Sequence, residues 1–290
     1  MYKLVAVDLD GTMLNSYGEV TLNTKRVIKM AKQKGIDVVI ASGRSIDSIK
    51  SIAEETESSK YIIAGNGAIV YDREQDKILY ENYIPESKAI EIIKICEENS
   101  IYYNVYTNKS IIANSLRYNV LYYYKENLKK EENKKTHITL VEDIQNYVKS
   151  MKNEKVMKIF ICDSSKIIFN SIIKKFLFIA DVDVLDVSHM SRKFIKRGTV
   201  EAPIEYYYTE ISMKDVDKWC GIEFLKNKLE IKTEEIIAIG DNSNDKKMIQ
   251  EADLGIAIKN SSQDVIQVAN YVTEDNNNEG VAKALEKFIF

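Results

Sequence analysis

The stretch Leu4-Val5-Ala6-Val7-Asp8-Leu9-Asp10-Gly11-Thr12-Met13 places two carboxylates, one residue apart, directly after a short apolar run. The apolar run predicts a buried strand, and the Asp-Gly pair predicts a turn after it. Alternation along a strand would point Asp8 and Asp10 to the same side. Two carboxylates at one site repel each other unless a cation or a shared proton relieves them. A strand that ends in a polar turn explains the stretch equally well, so its interpretation depends on the rest of the chain.

Length and composition are those of an ordinary globular protein with one large domain or two smaller ones. The 290 residues are 45% hydrophobic and 29% charged, and a net charge of −3 gives no basic field that would attract nucleic acid. The three cysteines are odd in number and widely spaced, which indicates reduced thiols. No segment approaches the roughly 20 apolar residues of a membrane span. We therefore expect a cytoplasmic protein without nucleic-acid or membrane partners.

Strand and helix signals alternate in residues 1–82 and again in residues 209–290. The predicted strands of these two segments include Lys3–Asp8, Asp37–Ala41, Tyr61–Ala64, Glu235–Gly240 and Leu254–Ile258. Continuous apolar strands separated by amphipathic helices predict an α/β fold with a Rossmann-like parallel sheet covered on both faces. Residues 83–208 have a different pattern and are far too long for a loop, since connections beyond roughly 12–15 residues are uncommon. They predict an inserted α+β domain.

A hydroxyl residue and a lysine are further candidates for a site. Ser42-Gly43-Arg44 follows the predicted strand Asp37–Ala41, where a hydroxyl and backbone N–H groups suit a phosphate oxygen. Helix capping by Ser42 explains these residues as well. Lys218 stands at the start of a predicted helix, where a buried cation would neutralise carboxylates and phosphate. A lone lysine is most often a solvated surface residue, and Lys214 is a rival for the same role.

The segment Gly240-Asp241-Asn242-Ser243-Asn244-Asp245 follows another apolar run and carries two aspartates four residues apart. Hard oxygen ligands in this arrangement suit Mg²⁺, although a polar loop with an aspartate helix cap explains the segment alone. In an open parallel sheet, ligands bind at the carboxyl ends of the strands. The side chains that would meet there are those of Asp8, Asp10, Ser42 and Asp241. Their convergence on one edge favours a single site over unrelated turns.

These motifs together resemble the haloacid dehalogenase superfamily of phosphatases, in its Cof-type branch. The four motifs are Asp8-Leu9-Asp10-Gly11-Thr12, Ser42-Gly43-Arg44, Lys218 and Gly240-Asp241-Asn242-Ser243-Asn244-Asp245. Three other stretches match the branch as well: Gly65-Asn66-Gly67-Ala68, Lys259-Asn260 and Asn278-Glu279-Gly280-Val281-Ala282. The insertion resembles the branch only in position and size, which are those of a type C2 α+β cap between the second and third motifs.

The resemblance implies a role for each motif residue. Asp8 is the implied nucleophile, which forms an aspartyl-phosphate, and Asp10 is the implied general acid and base. The implied Mg²⁺ ligands are the Asp8 side chain, the Asp10 backbone carbonyl and Asp241, with Asp245 orienting a bound water or Lys218. The residues implied to hold the phosphoryl oxygens are Ser42, the amide of Gly43, Lys218 and Asn244.

Three positions near the motifs have a less specific expectation. Thr12 is expected to order the turn rather than to touch substrate. Arg44 is expected to face either the opening of the cap or solvent. Ser261 stands after Asn260 where the branch usually has alanine, and this departure is expected to loosen the contact around Asn260 without touching a catalytic group.

The implied function is Mg²⁺-dependent hydrolysis of small phosphorylated metabolites, either sugar phosphates or phosphorylated cofactors, by a cytoplasmic monomer or homodimer. The cap is expected to close over the leaving group as a lid. A phosphomutase or a dedicated sugar-phosphate phosphatase on the same core stays open as an alternative. So does a catalytically silent protein that binds phospho-ligands. A phospho-receiver domain is disfavoured, because it needs its aspartate after the third strand, where this chain has Gly65-Asn66-Gly67.

Overall fold

A computed structural model describes residues 1–129, 131–132, 135–185, 191–197 and 200–290, without the side chains of residues 191–197, 200 and 201. The chain divides into two compact units. The first unit combines Met1–Glu81 with Val216–Phe290, and the second unit is Asn82–Asp215. No helix of the described ranges is long and apolar enough to cross a bilayer.

Strands and helices alternate through most of the first unit, and the chain order that follows includes the elements of both units. The strands in chain order are β1 (Leu4–Val7), β2 (Asp37–Ala41), β3 (Tyr61–Ala64), β4 (Ile69–Asp72), β5 (Lys77–Glu81), β6 (Tyr102–Thr107), β7 (Ile111–Ala113), β8 (Ile138–Leu140), β9 (Val156–Asp163), β10 (Val182–Val184), β11 (Ser191–Arg197), β12 (Val200–Met213), β13 (Ile236–Gly240), β14 (Leu254–Ile258) and β15 (Tyr271–Thr273). The helices are α1 (Leu22–Gln33), α2 (Ile46–Glu55), α3 (Glu86–Glu98), α4 (Tyr118–Asn127), α5 (Ile144–Ser150), α6 (Lys166–Phe176), α7 (Lys218–Lys228), α8 (Lys246–Glu251), α9 (Gln263–Ile266) and α10 (Gly280–Ile289).

The first unit is built on one sheet with the order β15-β14-β13-β1-β2-β3-β4-β5. Strands β15 to β3 in this order run parallel, and β4 and β5 add an antiparallel hairpin at one edge. Ala6 of β1 lies between Ala238 of β13 and Val39 of β2. This sheet with its helices confirms the predicted α/β fold.

Strand β1 is buried on both faces because all four of its residues are apolar and fully enclosed. On one face Leu4 and Ala6 belong to a core that includes Ile222 and Leu225 of α7 and Met248 of α8. Burial of a large aliphatic side chain stabilises a fold by about 1.5–3 kcal/mol, so this face anchors the strand that leads to Asp8.

Helix α1 shows how local sequence sets the ends of an element. Thr21 precedes the helix, and its hydroxyl accepts a hydrogen bond from the N–H of Thr24 at 3.2 Å. Gly35 follows the helix with a φ of +78°, a conformation that glycine adopts without steric cost. An N-terminal cap such as Thr21 contributes about 1 kcal/mol to stability.

The second unit is built on a mixed sheet with the order β10-β12-β9-β6-β7-β8, and β11 pairs with β12. Helices α3, α5 and α6 contribute to the core against this sheet, through residues such as Ile93, Val148 and Phe176. Strand β12 continues past residue 208, where the predicted insertion ended, because Ile211 is buried and pairs with Ile159 of β9. The unit therefore extends to Asp215.

The three cysteines are free thiols, as the sequence predicted. Cys96 and Cys162 are buried, and burial raises the pKa of both thiols well above its usual value. Both are therefore protonated and unreactive at neutral pH.

Candidate active site

The carboxyl ends of β1, β2 and β13 bring the predicted polar residues to one edge of the first unit's sheet. Val7 pairs with Ile239, so Asp8 lies beside the loop that begins with Asp241. The N–H of Asp8 donates to the carbonyl of Ile239 at 2.9 Å. The predicted strand Lys3–Asp8 nevertheless ends at Val7, because the carbonyl of Asp8 accepts from Met13 within the following turn.

A buried lysine connects two of the aspartates. The Nζ atom of Lys218 lies 2.5 Å from Oδ1 of Asp8 and 2.5 Å from Oδ1 of Asp245. Lys218 is 0% exposed. Burial lowers the pKa of Lys218, but the carboxylates of Asp245 and Asp8 outweigh it, so the pKa is raised and the amine is charged. Lys218 is therefore a buried cation in contact with two aspartates.

Helix α7 positions this lysine. Lys218 is the first residue of α7, and Asp217 caps the helix by accepting from the N–H of Cys220 at 2.9 Å. Gly67 packs on the same turn, where a Cβ would lie 1.8 Å from the carbonyl oxygen of Asp217. The rival Lys214 is exposed and belongs to the second unit. Sequence spacing did not separate the two lysines, whereas burial does.

Asp245 both pairs with the lysine and organises its own loop. Its Oδ2 atom accepts the N–H groups of Asp241 and Asn242, each at 3.0 Å. Gly240 allows this close approach, since a Cβ there would lie 2.5 Å from the Cβ of Asp245. One carboxylate thus both caps the turn and contacts the buried lysine.

Asp241 is held by the turn that follows Asp10. The hydroxyl of Thr12 donates to Oδ1 of Asp241 at 2.8 Å. Gly11, with a φ of +85°, passes so close that a Cβ there would lie 2.5 Å from Oδ2 of Asp241. Burial, followed by the charge of Asp245, raises the pKa of Asp241 to about 7. Thr12 therefore fixes Asp241 as well as its own turn. This bond between distant parts of the chain was not predicted from the sequence.

The carboxylates of Asp8, Asp241 and Asp245 form a cluster that could hold a metal ion, with their nearest oxygens all within 4.8 Å of one another. One lysine does not neutralise three carboxylates. Burial, followed by the charge of Asp245, accordingly raises the pKa of Asp8 well above its usual value. A divalent cation would relieve this repulsion, and hard oxygen donors are what Mg²⁺ prefers. The residues present therefore fit the Mg²⁺ that the sequence predicted.

Asp10 does not belong to this cluster, although its charge adds to the raised pKa of Asp8. The strand ends at Val7, so strand alternation does not set the directions of the Asp8 and Asp10 side chains. Asp10 is 61% exposed in its side chain. Both of its oxygens accept hydrogen bonds from Arg44, from Nε at 2.8 Å and from a terminal nitrogen at 2.5 Å. Arg44, which the sequence left facing either a cap opening or solvent, is an ion-pair partner.

The predicted phosphate-binding residues occupy neighbouring turns. The N–H of Ser42 donates to the carbonyl of Ile63, and its buried hydroxyl accepts from the N–H of Arg44 at 3.2 Å. Asn66, in a left-handed conformation with a φ of +57°, donates its N–H to the carbonyl of Ser42. The amide of Asn244 donates to Oδ1 of Asn66 at 3.1 Å. The turns after β2, β3 and β13 are thus connected directly, with Gly43 half-buried beside them.

The loop after β14 adds contacts that the sequence did not predict. Asn260 donates its side-chain amide to the carbonyl of Gly11 at 3.0 Å, and Ser262 donates its N–H to the carbonyl of Asp241 at 3.0 Å. The hydroxyl of Ser261 donates to the carbonyl of Gly240 at 3.2 Å. Asn260 thus contacts the turn after Asp10, and Ser261 adds a bond of its own to Gly240.

The family of the chain follows from its similarity to known proteins. A family model described as haloacid dehalogenase-like hydrolase matches residues 5–285. The chain belongs to the haloacid dehalogenase-like hydrolases. The predicted membership is confirmed, and this hydrolase is a phosphatase of that superfamily.

Individual relatives are similar over their whole length. The phosphatase YwpJ of Bacillus subtilis (strain 168) is 26% identical over 291 residues, covering 99% of the hydrolase and 100% of YwpJ. The 5-amino-6-(5-phospho-D-ribitylamino)uracil phosphatase YcsE of the same organism is 24% identical over 293 residues, covering 99% and 96%. A solved haloacid dehalogenase-like hydrolase from B. subtilis superposes with a TM-score of 0.82 at 24% identity, covering 99% and 100% of the two chains. This last similarity bears on the fold alone.

Proposed function

We propose that the hydrolase is a Mg²⁺-dependent phosphatase that removes phosphoryl groups from small metabolites through an aspartyl-phosphate on Asp8. The observation that carries the proposal is the buried contact of Asp8 with Lys218, beside the carboxylates of Asp241 and Asp245. A carboxylate held by a buried cation at a strand end is fixed in position and screened from bulk water. Both conditions favour nucleophilic attack on a bound phosphoester.

Asp8 is the nucleophile in this proposal. One of its oxygens attacks phosphorus, the new O–P bond forms, and the ester O–P bond breaks in line with it. Lys218 holds Oδ1 of Asp8 at 2.5 Å, so the carboxylate is fixed in one orientation. The covalent intermediate divides one difficult displacement into two easier ones.

Asp10 transfers the protons. In the first step it gives a proton to the departing alkoxide, and in the second step it takes a proton from the water that attacks phosphorus. The second attack breaks the bond to Asp8 and releases inorganic phosphate. The exposed position of Asp10 suits this role, because its carboxylate must reach both the leaving group and water.

The phosphoryl oxygens are held by groups from three turns. Lys218 supplies the positive charge, the hydroxyl of Ser42 and the N–H of Gly43 supply donors after β2, and Asn244 supplies an amide after β13. Charged and neutral donors fixed in a water-poor site stabilise the charge that develops during transfer. The bonds that Asn66 makes to Ser42 and Asn244 keep these turns at a set spacing.

The carboxylates of Asp8 and Asp241 and the backbone carbonyl of Asp10 would hold Mg²⁺, with Asp245 orienting Lys218. When bound, Mg²⁺ screens the repulsion between the Asp8 carboxylate and a dianionic phosphoester. Thr12 and Gly11 set the position of Asp241 for this purpose.

Mg²⁺ binding is expected to compete with protons. The pKa of Asp241 is raised to about 7, whereas the unfolded value is 3.8. A raised folded-state pKa means that the contribution of Asp241 to the stability of the metal-free fold is fully present below pH 3.8 and is lost as pH rises through about 7. Mg²⁺ needs the ionised carboxylate, so its apparent dissociation constant should rise at least about tenfold for each pH unit below 7, and more steeply where Asp8 must also lose a proton. Mg²⁺ titrations followed by the shift in melting temperature, between about pH 5 and pH 8, measure this dependence.

Two controls accompany the titration. Asp241→Asn should bind Mg²⁺ weakly at every pH, and chelation by EDTA should stop turnover reversibly. An affinity that is constant across the pH range would contradict Asp241 as a ligand, and full activity in EDTA would contradict the metal requirement.

Asp10→Asn is expected to lower kcat by about 10²–10⁴-fold, because both proton transfers lose their carrier. The measurement is release of inorganic phosphate from an alkyl phosphate, together with rapid acid quenching of the reaction with p-nitrophenyl phosphate to detect phosphoenzyme. Accumulation of phosphorylated protein would support the role of Asp10 in the second step. A variant with wild-type kcat would remove Asp10 from the mechanism.

The substrate class follows by analogy. YcsE is named for a phosphorylated ribityl compound, and the hydrolase matches it over almost the whole chain. We propose small phosphorylated metabolites, sugar phosphates and phosphorylated cofactors among them, with Asn82–Asp215 acting as the cap that selects the leaving group. A panel of such esters, scored by phosphate release, tests this choice. Phosphate that is retained on a second hydroxyl of the product would indicate a phosphomutase instead.

We further propose that the hydrolase works in the cytoplasm as a monomer or homodimer. Its three free thiols support a reducing compartment. Sedimentation analysis with and without Mg²⁺ would give the oligomeric state.

A further inference from the structure

The contact between Arg44 and Asp10 is a bidentate ion pair. Nε of Arg44 donates to Oδ2 of Asp10 at 2.8 Å, and a terminal nitrogen donates to Oδ1 at 2.5 Å. Two parallel charge-assisted hydrogen bonds fix the plane of the carboxylate as well as its position. A lysine at this position would give a point contact without that orientation.

Both backbones that carry this pair are anchored. The N–H of Arg44 donates to the hydroxyl of Ser42, and its carbonyl accepts from Gly65 at 2.9 Å. On the other side, the carbonyl of Leu9 accepts from Leu14 at 2.9 Å, which closes the turn around Asp10. The ion pair therefore connects two fixed turns and transmits their position to the Asp10 carboxylate.

Folding stability is at most a secondary role of the pair. The side chain of Asp10 is 61% exposed and that of Arg44 is 27% exposed, and solvent-accessible ion pairs contribute little to folding. An exposed aspartate samples several rotamers, whereas proton transfer needs one orientation toward the reacting oxygen.

We propose that Arg44 is a positioning residue for Asp10, which holds the carboxylate in the orientation required for both proton transfers. This inference rests on the proposed function, since it assigns a task within the same site. In this role Arg44 acts through Asp10 rather than on the reacting atoms. Its loss should therefore reproduce, in weaker form, the loss of Asp10 itself.

A comparison of leaving groups distinguishes this role from a structural one. p-Nitrophenolate departs without a proton, so formation of the phosphoenzyme from p-nitrophenyl phosphate does not need Asp10. Hydrolysis of the phosphoenzyme does need it. For Arg44→Gln we expect kcat/KM on this ester to stay near the wild-type value while kcat falls by about 10-fold or more, with a pre-steady-state burst of p-nitrophenolate. On an alkyl phosphate, kcat/KM should fall as well, because the alkoxide must be protonated.

Matched variants complete the experiment. Arg26→Gln removes another exposed arginine–carboxylate pair, with Glu286, and should leave the kinetics unchanged. Arg44→Lys should lie between wild type and Arg44→Gln, and it serves if the glutamine variant folds poorly. Asp10→Asn should show the same dependence on the leaving group more strongly.

The outcomes test the positioning role of Arg44 separately from the acid–base role of Asp10. If Asp10→Asn shows the dependence on the leaving group and both Arg44 variants behave as wild type, the positioning role is wrong. Equal losses of kcat/KM on both esters, without a burst, would make Arg44 a substrate ligand and also overturn it. If Asp10→Asn itself shows no such dependence, the acid–base assignment of the proposed function fails.

Discussion

Replacement of Asp8 by asparagine is expected to abolish turnover while leaving the fold intact. The amide cannot form an aspartyl-phosphate, so the loss in kcat should be on the order of 10⁶-fold, as for other enzymes that lose their nucleophile. Burial, followed by the charge of Asp245, already raises the pKa of Asp8, so the ionised carboxylate is unfavourable in the metal-free fold. A neutral side chain of the same shape removes that cost. Hydrolysis of p-nitrophenyl phosphate with Mg²⁺, together with circular dichroism, measures both effects.

Asp253→Asn is the matched control. Asp253 is exposed, accepts from the hydroxyl of Tyr2, and precedes β14 at the amino end of the strand, on the edge opposite the site. This variant should keep wild-type kinetics. If Asp8→Asn also kept them, a different residue would have to be the nucleophile.

Replacement of Lys218 by methionine is expected to impair both stability and activity. Methionine fills a similar volume but leaves Asp8 and Asp245 buried without their cation. Loss of one partner from a buried ion pair costs about 3–5 kcal/mol. The loss should be largest at high pH and shrink as the pH falls, because protonation of Asp8, whose pKa is raised, removes the repulsion. Urea denaturation at several pH values, with kinetics under folding conditions, tests this.

Two variants identify the cause of the Lys218 effect. Lys3→Met removes an exposed lysine paired with Glu235 at 2.8 Å and should cost about 1 kcal/mol at most. Adding Asp245→Asn to Lys218→Met removes one uncompensated charge, so stability should partly return while activity does not. If Lys218→Met kept full stability and turnover, the buried cation would have neither role.

Much of the fold was predictable because buried parallel strands have a strong local signature. The structure places β2 at Asp37–Ala41, β3 at Tyr61–Ala64 and β14 at Leu254–Ile258, with the predicted bounds, since each is an apolar run between polar turns. Parallel pairing then brings the carboxyl ends of β1 and β13 together. The adjacency of Asp8 and Asp241 follows from this topology.

The side-chain partners were not predictable in the same way. The sequence does not distinguish Lys214 from Lys218 as the lysine of the site. Only the packing of α7 buries Lys218. The bonds from Thr12 to Asp241 and from Arg44 to Asp10 join residues more than 30 positions apart. Such contacts depend on the path of several turns, and no local sequence pattern encodes that path.

The most direct test of the account is to locate the phosphoryl group on the trapped enzyme. Asp10→Asn would be mixed with p-nitrophenyl phosphate and Mg²⁺, quenched in acid within the first turnover, digested and mapped by mass spectrometry. The account predicts one phosphoryl group, on the peptide that contains Asp8, and none when Asp8 is also replaced by asparagine. A phosphoryl group on any other residue, or continued turnover without a phosphorylated protein, would contradict it.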